Sequence, residues 1–188
     1  DNNGTDAGHV RVFEYSNSSW SQLGAEINGE SAGDNSAFNS LSSDGLTIAI
    51  GAWKNAGTAT DAGHVRVFEY ANGAWSQLGS DIDGEAAGDY SGWSVSLSGD
   101  GTKLAVGGYM NDDNGSEAGH VRVFEYTNGS WKQLGADIDG EAQSDHSGYS
   151  TQLSRDGTTL SVGAYYNDGN GNVSGHVRVF DNLTTTGL

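Results

Sequence analysis

The segment Gly-His-Val-Arg-Val-Phe-Glu-Tyr stands at residues 8–15, 63–70 and 119–126, and its first six residues return at 175–180. The copies therefore follow one another every 55 or 56 residues. A period this regular indicates repeated structural units, each of which buries its apolar face against the next. The repeat predicts a single domain over residues 1–188, with copies at about 8–62, 63–118 and 119–174 and a partial copy at 175–188.

Each copy has the pattern of four short strands. In the copy at 63–118, an aromatic and β-branched run is followed by Asn72-Gly73, a pair typical of a hairpin turn. A later run over 92–98 alternates large apolar with small polar residues, and Asp100-Gly101 turns it into another apolar run. Because no stretch has helical periodicity, we expect an all-β fold of tandem four-stranded antiparallel blades, β-propeller-like, with about three blades plus an extra strand.

The first copy departs from this pattern. Its run over 36–41 is one residue shorter than the matching run over 91–97. A one-residue slip would exchange the two faces of the strand, so the difference has to be absorbed locally. We expect a bulge or a shortened strand between Phe38 and Ser40, and the least regular sheet at this place.

The composition excludes several classes of function. The chain has 8 Lys and Arg against 25 Asp and Glu, a net charge of −17, and this field repels nucleic acids and anionic membrane surfaces. No apolar run is long enough to cross a membrane. Cysteine is absent, so neither a disulfide framework nor a thiolate metal site can form.

Two copies of one longer tract carry a family resemblance. The tracts SGWSVSLSGDGTKLAVGGY at 91–109 and SGYSTQLSRDGTTLSVGAY at 147–165 resemble the FG-GAP repeat of integrin-α-type β-propellers. The Phe-Gly start of that repeat corresponds to Ser91-Gly92 and Ser147-Gly148, and an aromatic residue replaces the proline of Gly-Ala-Pro. The resemblance implies a propeller blade. It implies no calcium site, because two of the three acids of the family's DxDxDG loop are missing here.

One histidine opens the repeated strand in every copy: His9, His64, His120 and His176. A catalytic histidine is needed once, whereas a residue at every copy favours a structural hydrogen bond between blades, with a metal role as the alternative. His146 stands outside this pattern, and we expect it to be exposed at a turn. The sequence also has no recognisable catalytic motif, so the prediction is that the protein is not an enzyme.

An arginine also recurs on the same strand, at Arg11, Arg66, Arg122 and Arg178. We expect each guanidinium to pair with a carboxylate, either Asp34, Asp89 and Asp145 or the acids of the turn before them. The alternative is a basic stripe that binds anions.

Two acidic turns, Asp81-Ile82-Asp83-Gly84-Glu85 and Asp137-Ile138-Asp139-Gly140-Glu141, place carboxylates two and four residues apart. Calcium prefers such oxygen ligands, so Asp81, Asp83, Glu85, Asp137, Asp139 and Glu141 are candidate calcium ligands. The alternative is a plain Asp-Gly turn. We expect no cofactor other than this possible calcium.

The aromatic residues fall into two repeated positions. Trp20, Trp75 and Trp131 share one position, and we expect them to pack between blades. Trp53, Tyr109 and Tyr165 follow the apolar strand of each copy, where loops are exposed, and they could stack on sugar rings.

Six Asn-X-Ser/Thr sequons favour a secreted glycoprotein: Asn3, Asn17, Asn114, Asn128, Asn172 and Asn182. We therefore expect an extracellular, non-catalytic structural or adhesive repeat protein with glycans or cell-surface and matrix proteins as partners. The Gly175–Phe180 end of one copy is expected to meet the Gly8–Tyr15 end of another and to build a ring or a fibril. The alternative is a propeller-type carbohydrate- or protein-binding module, or the non-catalytic part of a hydrolase.

Overall fold

A computed structural model describes residues 3–183, which consist of strands, turns and loops. That range contains no helix, and so none that is long and apolar enough to cross a membrane. The chain begins with two short antiparallel ribbons, in which β1 pairs with β4 and β2 with β3. Their bounds are β1 His9–Val10, β2 Phe13–Ser16, β3 Ser19–Gln22 and β4 Ile27–Asn28.

Three antiparallel sheets follow. The first sheet contains β5 Ser36–Leu41, β6 Thr47–Ala52, β7 His64–Ala71 and β8 Ala74–Gln77, with β9 Ile82–Asp83 paired to the start of β7. The second sheet repeats it with β10 Ser94–Leu97, β11 Lys103–Gly108, β12 His120–Thr127, β13 Ser130–Gln133 and β14 Ile138–Asp139. The third sheet has β15 Ser147–Leu153, β16 Leu160–Ala164 and β17 His176–Phe180.

The sheets therefore begin part of the way through each sequence copy, at the serine-rich strand, and the GHVRVF segment forms the third strand of each sheet. The expected four-stranded blade is confirmed in the first two sheets, each of which adds a short fifth strand, whereas the third sheet has three strands within residues 3–183. The turn prediction also holds: Asn72 and Gly73 have φ of 52° and 85°, the positive pair that a tight type I′ hairpin needs.

The first copy has the expected bulge, but before Phe38 and not between Phe38 and Ser40, where pairing is regular, and the prediction that this sheet would be the least regular is wrong. Pairing of β5 with β6 shifts between Ser36 and Phe38, which leaves one residue as a bulge. In the third sheet, pairing of β15 with β16 shifts between Ser147 and Ser150, so the bulge there is larger. The third copy therefore has a larger bulge at this place than the first copy. The residue that the first copy lacks is missing from this bulge, so the pairing of the rest of the strand is unchanged.

The apolar cores lie between successive sheets. Val65 and Val67 of the first sheet are fully buried against Leu104 and Val106 of the second, and Phe124 completes the same cluster. The apolar side chains of one sheet are therefore buried by the next sheet, as expected of repeat units. The two other clusters are arranged in the same way, one between the ribbons and the first sheet and one between the second and third sheets.

Tryptophan closes each of the first two junctions, as the repeat predicted. Trp75 packs against the cluster of Val10 and Ile48, and its indole N–H donates to the carbonyl of Leu23 at 2.8 Å. Trp131 donates to the carbonyl of Leu78 at the same distance. Trp20 occupies the matching position on β3 but is 70% exposed, so the prediction that it packs between blades is wrong; within residues 3–183 no sheet precedes this ribbon to cover the indole.

The serine-rich first strands join successive sheets. The hydroxyl of Ser40 accepts a hydrogen bond from the backbone N–H of Leu97 at 3.0 Å, and Ser96 accepts one from Leu153 at 2.9 Å. A short polar side chain at these positions lets two first strands approach while each N–H keeps a partner.

The repeated arginines also join successive sheets. Arg66 donates to the carbonyl of Asn28 at 2.7 Å and lies 3.5 Å from the carboxylate of Glu30. Arg122 donates to the carbonyl of Asp83 at 2.7 Å and lies 3.7 Å from Glu85. Their carboxylate partners are thus the acids of the preceding turn.

The first-named partners of the arginines, Asp34, Asp89 and Asp145, have another role, which corrects that part of the expectation. Each is buried and accepts a hydrogen bond from a backbone N–H of its own turn, from Ser31, Ala86 and Ala142 respectively. The aspartate side chain is short enough to accept a hydrogen bond from a backbone N–H of its own turn. Each carboxylate therefore bonds within its turn and not to a guanidinium.

Candidate functional site

Aromatic side chains collect at one edge of the three sheets. Trp53, Tyr109 and Tyr165 come directly after β6, β11 and β16. Because the first two strands of each sheet are antiparallel, this edge also carries the start of the first strand. We call the resulting ring cluster the aromatic face; it consists of Phe38, Trp53, Tyr90, Trp93, Tyr109, His146, Tyr149, Tyr165 and Tyr166.

The rings of the aromatic face are in contact from the first sheet to the third. Trp93 is the hub of the first half, with its ring centroid 5.0 Å from that of Phe38, 5.2 Å from Trp53 and 4.8 Å from Tyr109. Tyr149 lies 5.4 Å from Tyr109 and 4.3 Å from Tyr165. Most pairs are tilted or edge-to-face, the arrangements that aromatic quadrupoles favour.

His146 lies inside this cluster, which corrects the prediction that it is exposed. Its side chain is 9% exposed; Nε2 lies 3.0 Å from the carboxylate of Glu117 and Nδ1 lies 3.2 Å from the hydroxyl of Tyr165. The matching positions of the other copies hold Asn35 and Tyr90, and a position that varies in this way does not indicate burial.

The outer part of the aromatic face is open to solvent. Tyr149, Tyr165 and Tyr166 are each about 40% exposed, at 39%, 41% and 41%. Burial raises the pKa of Tyr109, and burial followed by the neighbouring Tyr166 raises the pKa of Tyr165 to about 12. Both phenols are therefore neutral at physiological pH and can donate as well as accept hydrogen bonds.

Two adjoining depressions run along this surface. One, of about 440 Å³, is lined by Tyr149, Tyr165, Ser174 and His176, among others. The other, of about 350 Å³, is lined by Phe38, Trp93 and again Tyr149. Shallow aromatic depressions with a few hydroxyl groups are a usual form of binding site.

The sequence singled out three members of this surface and missed the rest. Phe38, Trp93 and Tyr149 occupy matching positions in the three copies, each near the start of the first strand. An aromatic residue at the same position of every copy is a pattern from which these three residues could have been predicted. Their contact with Trp53, Tyr109 and Tyr165, however, follows only from the antiparallel pairing of the first two strands.

The candidate calcium ligands do not meet within their own turns. Asp81 groups with Glu30 and His64, whereas Glu85 groups with Asp113, His120 and Asp137, in two successive sheet junctions. Glu141 of the second turn lies 3.5 Å from His176. Asp83 and Asp139 belong to neither group; their backbone carbonyls accept from Arg122 and Arg178.

The six sequon asparagines all lie at the surface, but their side chains differ in environment. Asn3 and Asn114 donate through Nδ2 to the carbonyls of Gly29 and Gly140, each at 2.7 Å. Asn17 and Asn128 lie in hairpin turns between β2 and β3 and between β12 and β13. Asn172 and Asn182 lie in the loop before β17 and after its end.

Comparison with known proteins supports the fold. Residues 81–124 match the FG-GAP repeat. No curated protein sequence matches the chain. A solved structure from Bacteroides uniformis, named as a candidate 6-phosphogluconolactonase, superposes with a TM-score of 0.63 at 15% identity over 97% of this chain and 46% of its own. A protein of the same name from Bacteroides fragilis gives 0.56 at 19% identity over 83% and 37%.

The chain thus spans less than half the length of these two structures. At such identities the likeness concerns the fold alone. Together with the sheets described above, the comparisons show an all-β, propeller-like fold that carries the FG-GAP repeat expected from the sequence.

Proposed function

We propose that this propeller module is a non-catalytic, extracellular adhesive protein that binds neutral carbohydrate on its aromatic face. The observation that carries the proposal is the exposure of Tyr149, Tyr165 and Tyr166 in one continuous ring cluster above two adjoining depressions. Such a surface is costly to leave in water, and a ligand that covers it gains apolar contact area.

The chemistry of the surface favours sugars. A pyranose ring presents a face of C–H groups that packs on an aromatic ring, and its hydroxyls need donors and acceptors at the rim. Neutral tyrosine hydroxyls supply both roles, and Ser150 and Ser174 line the same depression. The net charge of −17 disfavours anionic ligands, so the proposal concerns uncharged oligosaccharides.

The lactonase name of the two similar structures offers a rival reading, catalysis on a phosphorylated lactone. That substrate would need cationic groups, and neither depression of the aromatic face is lined by a Lys or Arg side chain. Of the repeated histidines, His64 and His120 are buried at sheet junctions beside acidic side chains. These assignments support a non-catalytic role.

The experiment is a glycan array followed by calorimetric titration of the best neutral oligosaccharide. Tyr165→Ala removes an exposed ring of the aromatic face and should weaken binding by roughly tenfold or more, the loss expected when a stacked aromatic side chain is removed. Tyr15→Ala is the matched control, since Tyr15 is 60% exposed but lies on β2, outside the aromatic face. The affinity of the Tyr15→Ala variant for the oligosaccharide should equal that of the unmodified chain.

Absence of binding to any neutral glycan, or equal affinity of Tyr165→Ala and the parent, would contradict the proposal. Turnover of 6-phosphogluconolactone or of a polysaccharide by the purified chain would contradict its non-catalytic part.

A second candidate function, head-to-tail self-association, is favoured by the exposed apolar groups at the two ends of the described structure. Val177 and Val179 on β17 are 68% and 65% exposed, and Trp20 on β3 is 70% exposed. We propose that a second copy of the chain covers them. His176 and Val177 of β17 also line the larger depression of the aromatic face, beside Tyr149 and Tyr165, so a second copy and a carbohydrate would compete for that part of the surface.

A further inference from the structure

The junction between the first and second sheets holds a group of four ionisable side chains. Glu85 follows β9 of the first sheet, Asp113 lies in the loop between β11 and β12, His120 opens β12, and Asp137 precedes β14. One ligand atom from each residue lies within 4.8 Å of all the others. The group therefore draws side chains from two different sheets to one point.

His120 is the unusual member of this group. Its side chain is 1% exposed, and neither ring nitrogen has a hydrogen-bond partner within residues 3–183, so the hydrogen bond between blades expected of the repeated histidines is absent at this one. A buried imidazole without a partner loses its hydration and gains nothing in return. Its Nδ1 atom lies 3.5 Å from an oxygen of Asp137 and 3.8 Å from an oxygen of Glu85, so it is directed into the group.

These distances suit ligands that share a metal ion. At 3.5 and 3.8 Å the contacts are too long for good hydrogen bonds. Two ligands of a tetrahedral zinc ion, each about 2.0–2.1 Å from the metal, lie roughly 3.3–3.4 Å apart. The spacing around His120 is within a few tenths of an ångström of that value.

The charges of the group also favour a cation. Glu85, Asp113 and Asp137 bring three carboxylates together, and carboxylates held this close repel one another when no cation lies between them. The nearest cationic group, Arg122, is 3.7 Å from Glu85 and is also engaged with the carbonyl of Asp83. A divalent ion would relieve the repulsion that remains.

We propose that Glu85, Asp113, His120 and Asp137 form a binding site for a divalent transition metal of the zinc class, which ties the first sheet to the second. The imidazole of His120 indicates the class of metal ion, because calcium and magnesium take oxygen ligands whereas zinc accepts nitrogen together with carboxylates. The site is distinct from a calcium loop within one turn, since its ligands come from two sheets.

The preceding junction contains a reduced version of the same site. Glu30, His64 and Asp81 form its three ligands, and it opens on a cleft of about 640 Å³. Gly57 stands where the second junction has Asp113, although both loops make the same turn. The N–H of Gly57 donates to the Asn55 side chain at 2.8 Å, and the N–H of Asp113 donates to Asn111 at 3.0 Å. This site should therefore bind the same metal more weakly.

The test uses the chain without a histidine tag, stripped with a chelator and titrated with zinc chloride by calorimetry. We expect one tighter and one weaker zinc per chain. Zinc should also raise the melting temperature by roughly 5–10 °C when its free concentration is about 100 times the Kd of the tighter site. Cobalt(II) in place of zinc should give the visible absorption of a four-coordinate ion.

Two substitutions test whether the residue at this loop position binds the metal. Asp113→Gly reproduces the loop of the preceding junction and should weaken the tighter site at least as much as loss of an outer-shell partner does, roughly 10- to 100-fold. Gly57→Asp should strengthen the weaker site. Asp113 and Gly57 lie in surface loops, so both variants should keep the parent circular dichroism spectrum. Glu69→Gln, an exposed acid on β7, is the control and should change neither site.

His120→Gln tests the metal class and is compared only if its circular dichroism spectrum matches that of the parent. Zinc affinity unchanged by Asp113→Gly, or no heat and no thermal shift with zinc, would overturn the proposal. Calcium binding as tight as zinc binding would overturn it as well, since a site of that kind would rest on the carboxylates alone.

Discussion

Gly51 at the end of β6 and Gly92 just before β10 touch across the junction of the first and second sheets. A Cβ atom on Gly51 would lie 1.9 Å from the carbonyl oxygen of Gly92, and one on Gly107 would lie 2.2 Å from that of Gly148. These are the glycines through which the sequence resembles FG-GAP repeats. The repeat pattern therefore encodes a backbone contact between one sheet and the next, at which no side chain fits.

Gly51→Ala should accordingly destabilise the fold. The backbone of the next sheet has to move to admit the methyl group, so we expect a loss of about 3 kcal/mol, the upper end of the usual cost of overpacking. Chemical denaturation followed by tryptophan fluorescence measures it.

Gly163→Ala is the matched control for this substitution. Gly163 occupies the same position in the third sheet, where a Cβ atom would meet only the Ser150 hydroxyl closely, at 2.4 Å, and the Ser150 carbonyl oxygen is 3.7 Å away. A hydroxyl can rotate, so the loss should be well below that of Gly51→Ala. Equal losses would mean that the sheet-to-sheet contact is not the cause.

Trp75→Ala should cost about 3–5 kcal/mol, because the indole fills a junction between sheets and donates a hydrogen bond across it. Trp20→Ala at the equivalent position should cost little at low protein concentration, since Trp20 is 70% exposed. Trp53→Ala, on the half-buried part of the aromatic face, should fall between them. Denaturation midpoints of the three variants check this order, and similar small losses in all three would show that the junction is not built as described.

Periodicity made the strands predictable, and the equivalence of the copies made Trp75 and Trp131 recognisable as interior residues. The acids were harder, because the sequence places Asp81 beside Glu85 whereas the fold sends them to different junctions. The side chains that these acids contact are decided by the packing of one sheet on the next. The spacing of acids within one turn does not predict that packing.

The aromatic face was predictable in part for the same reason. Trp53 could be recognised from its place after the apolar strand, but its contact with Trp93 depends on which strands pair and on how closely two sheets approach. His146 was predicted as exposed because its position varies among the copies, and its burial comes from rings supplied by neighbouring loops.

The Asp-Gly turns should make the stability of the fold depend on pH in the acid range. The carboxylate of Asp156 accepts hydrogen bonds from the Ser154 hydroxyl at 2.6 Å and from Thr158, and these bonds lower its pKa to about 2. A pKa that is lower in the folded chain gives stability that is present above the unfolded value of about 3.9 and is lost as pH falls through about 2.

Ser154→Ala should therefore raise the pKa of Asp156 toward its ordinary value and flatten the dependence of stability on pH in that window. Carboxyl NMR titration of the parent and the variant measures the shift. An Asp156 pKa that stays near 2 without the Ser154 hydroxyl would contradict this account of the turn.

Glycosylation, if the chain is secreted from a eukaryotic cell, should favour particular sequons. Asn17 and Asn128 project from hairpin turns and should be modified. Asn3 and Asn114 should be modified less in the folded chain, because a glycan on Nδ2 would disturb the bonds to Gly29 and Gly140. Peptide mapping after enzymatic deglycosylation distinguishes them, and an intact mass that is unchanged by the enzyme would contradict the glycoprotein prediction.

Self-association should follow the interface that already repeats inside the chain. At the junction of the first and second sheets, Val65 and Val67 pack in one cluster with Phe124 and Trp131 of the next sheet. The equivalents of this pair on β17 are Val177 and Val179, and both are exposed. The equivalents of the two aromatic residues are Phe13 and Trp20, which are 45% and 70% exposed. The two exposed surfaces are thus complementary parts of one interface.

We therefore expect β17 of one copy to meet β2 and β3 of another, which gives a ring if the rotation closes and a filament if it does not. Sedimentation velocity over a range of concentrations and electron microscopy should detect the assembly, and Val179→Lys or Trp20→Ala should weaken it, because either change removes apolar contact from the interface. Glu69→Gln, an exposed acid on β7, is the control and should leave assembly unchanged. A folded monomer at high micromolar concentration, with neither rings nor fibres, would mean that these surfaces do not bind each other.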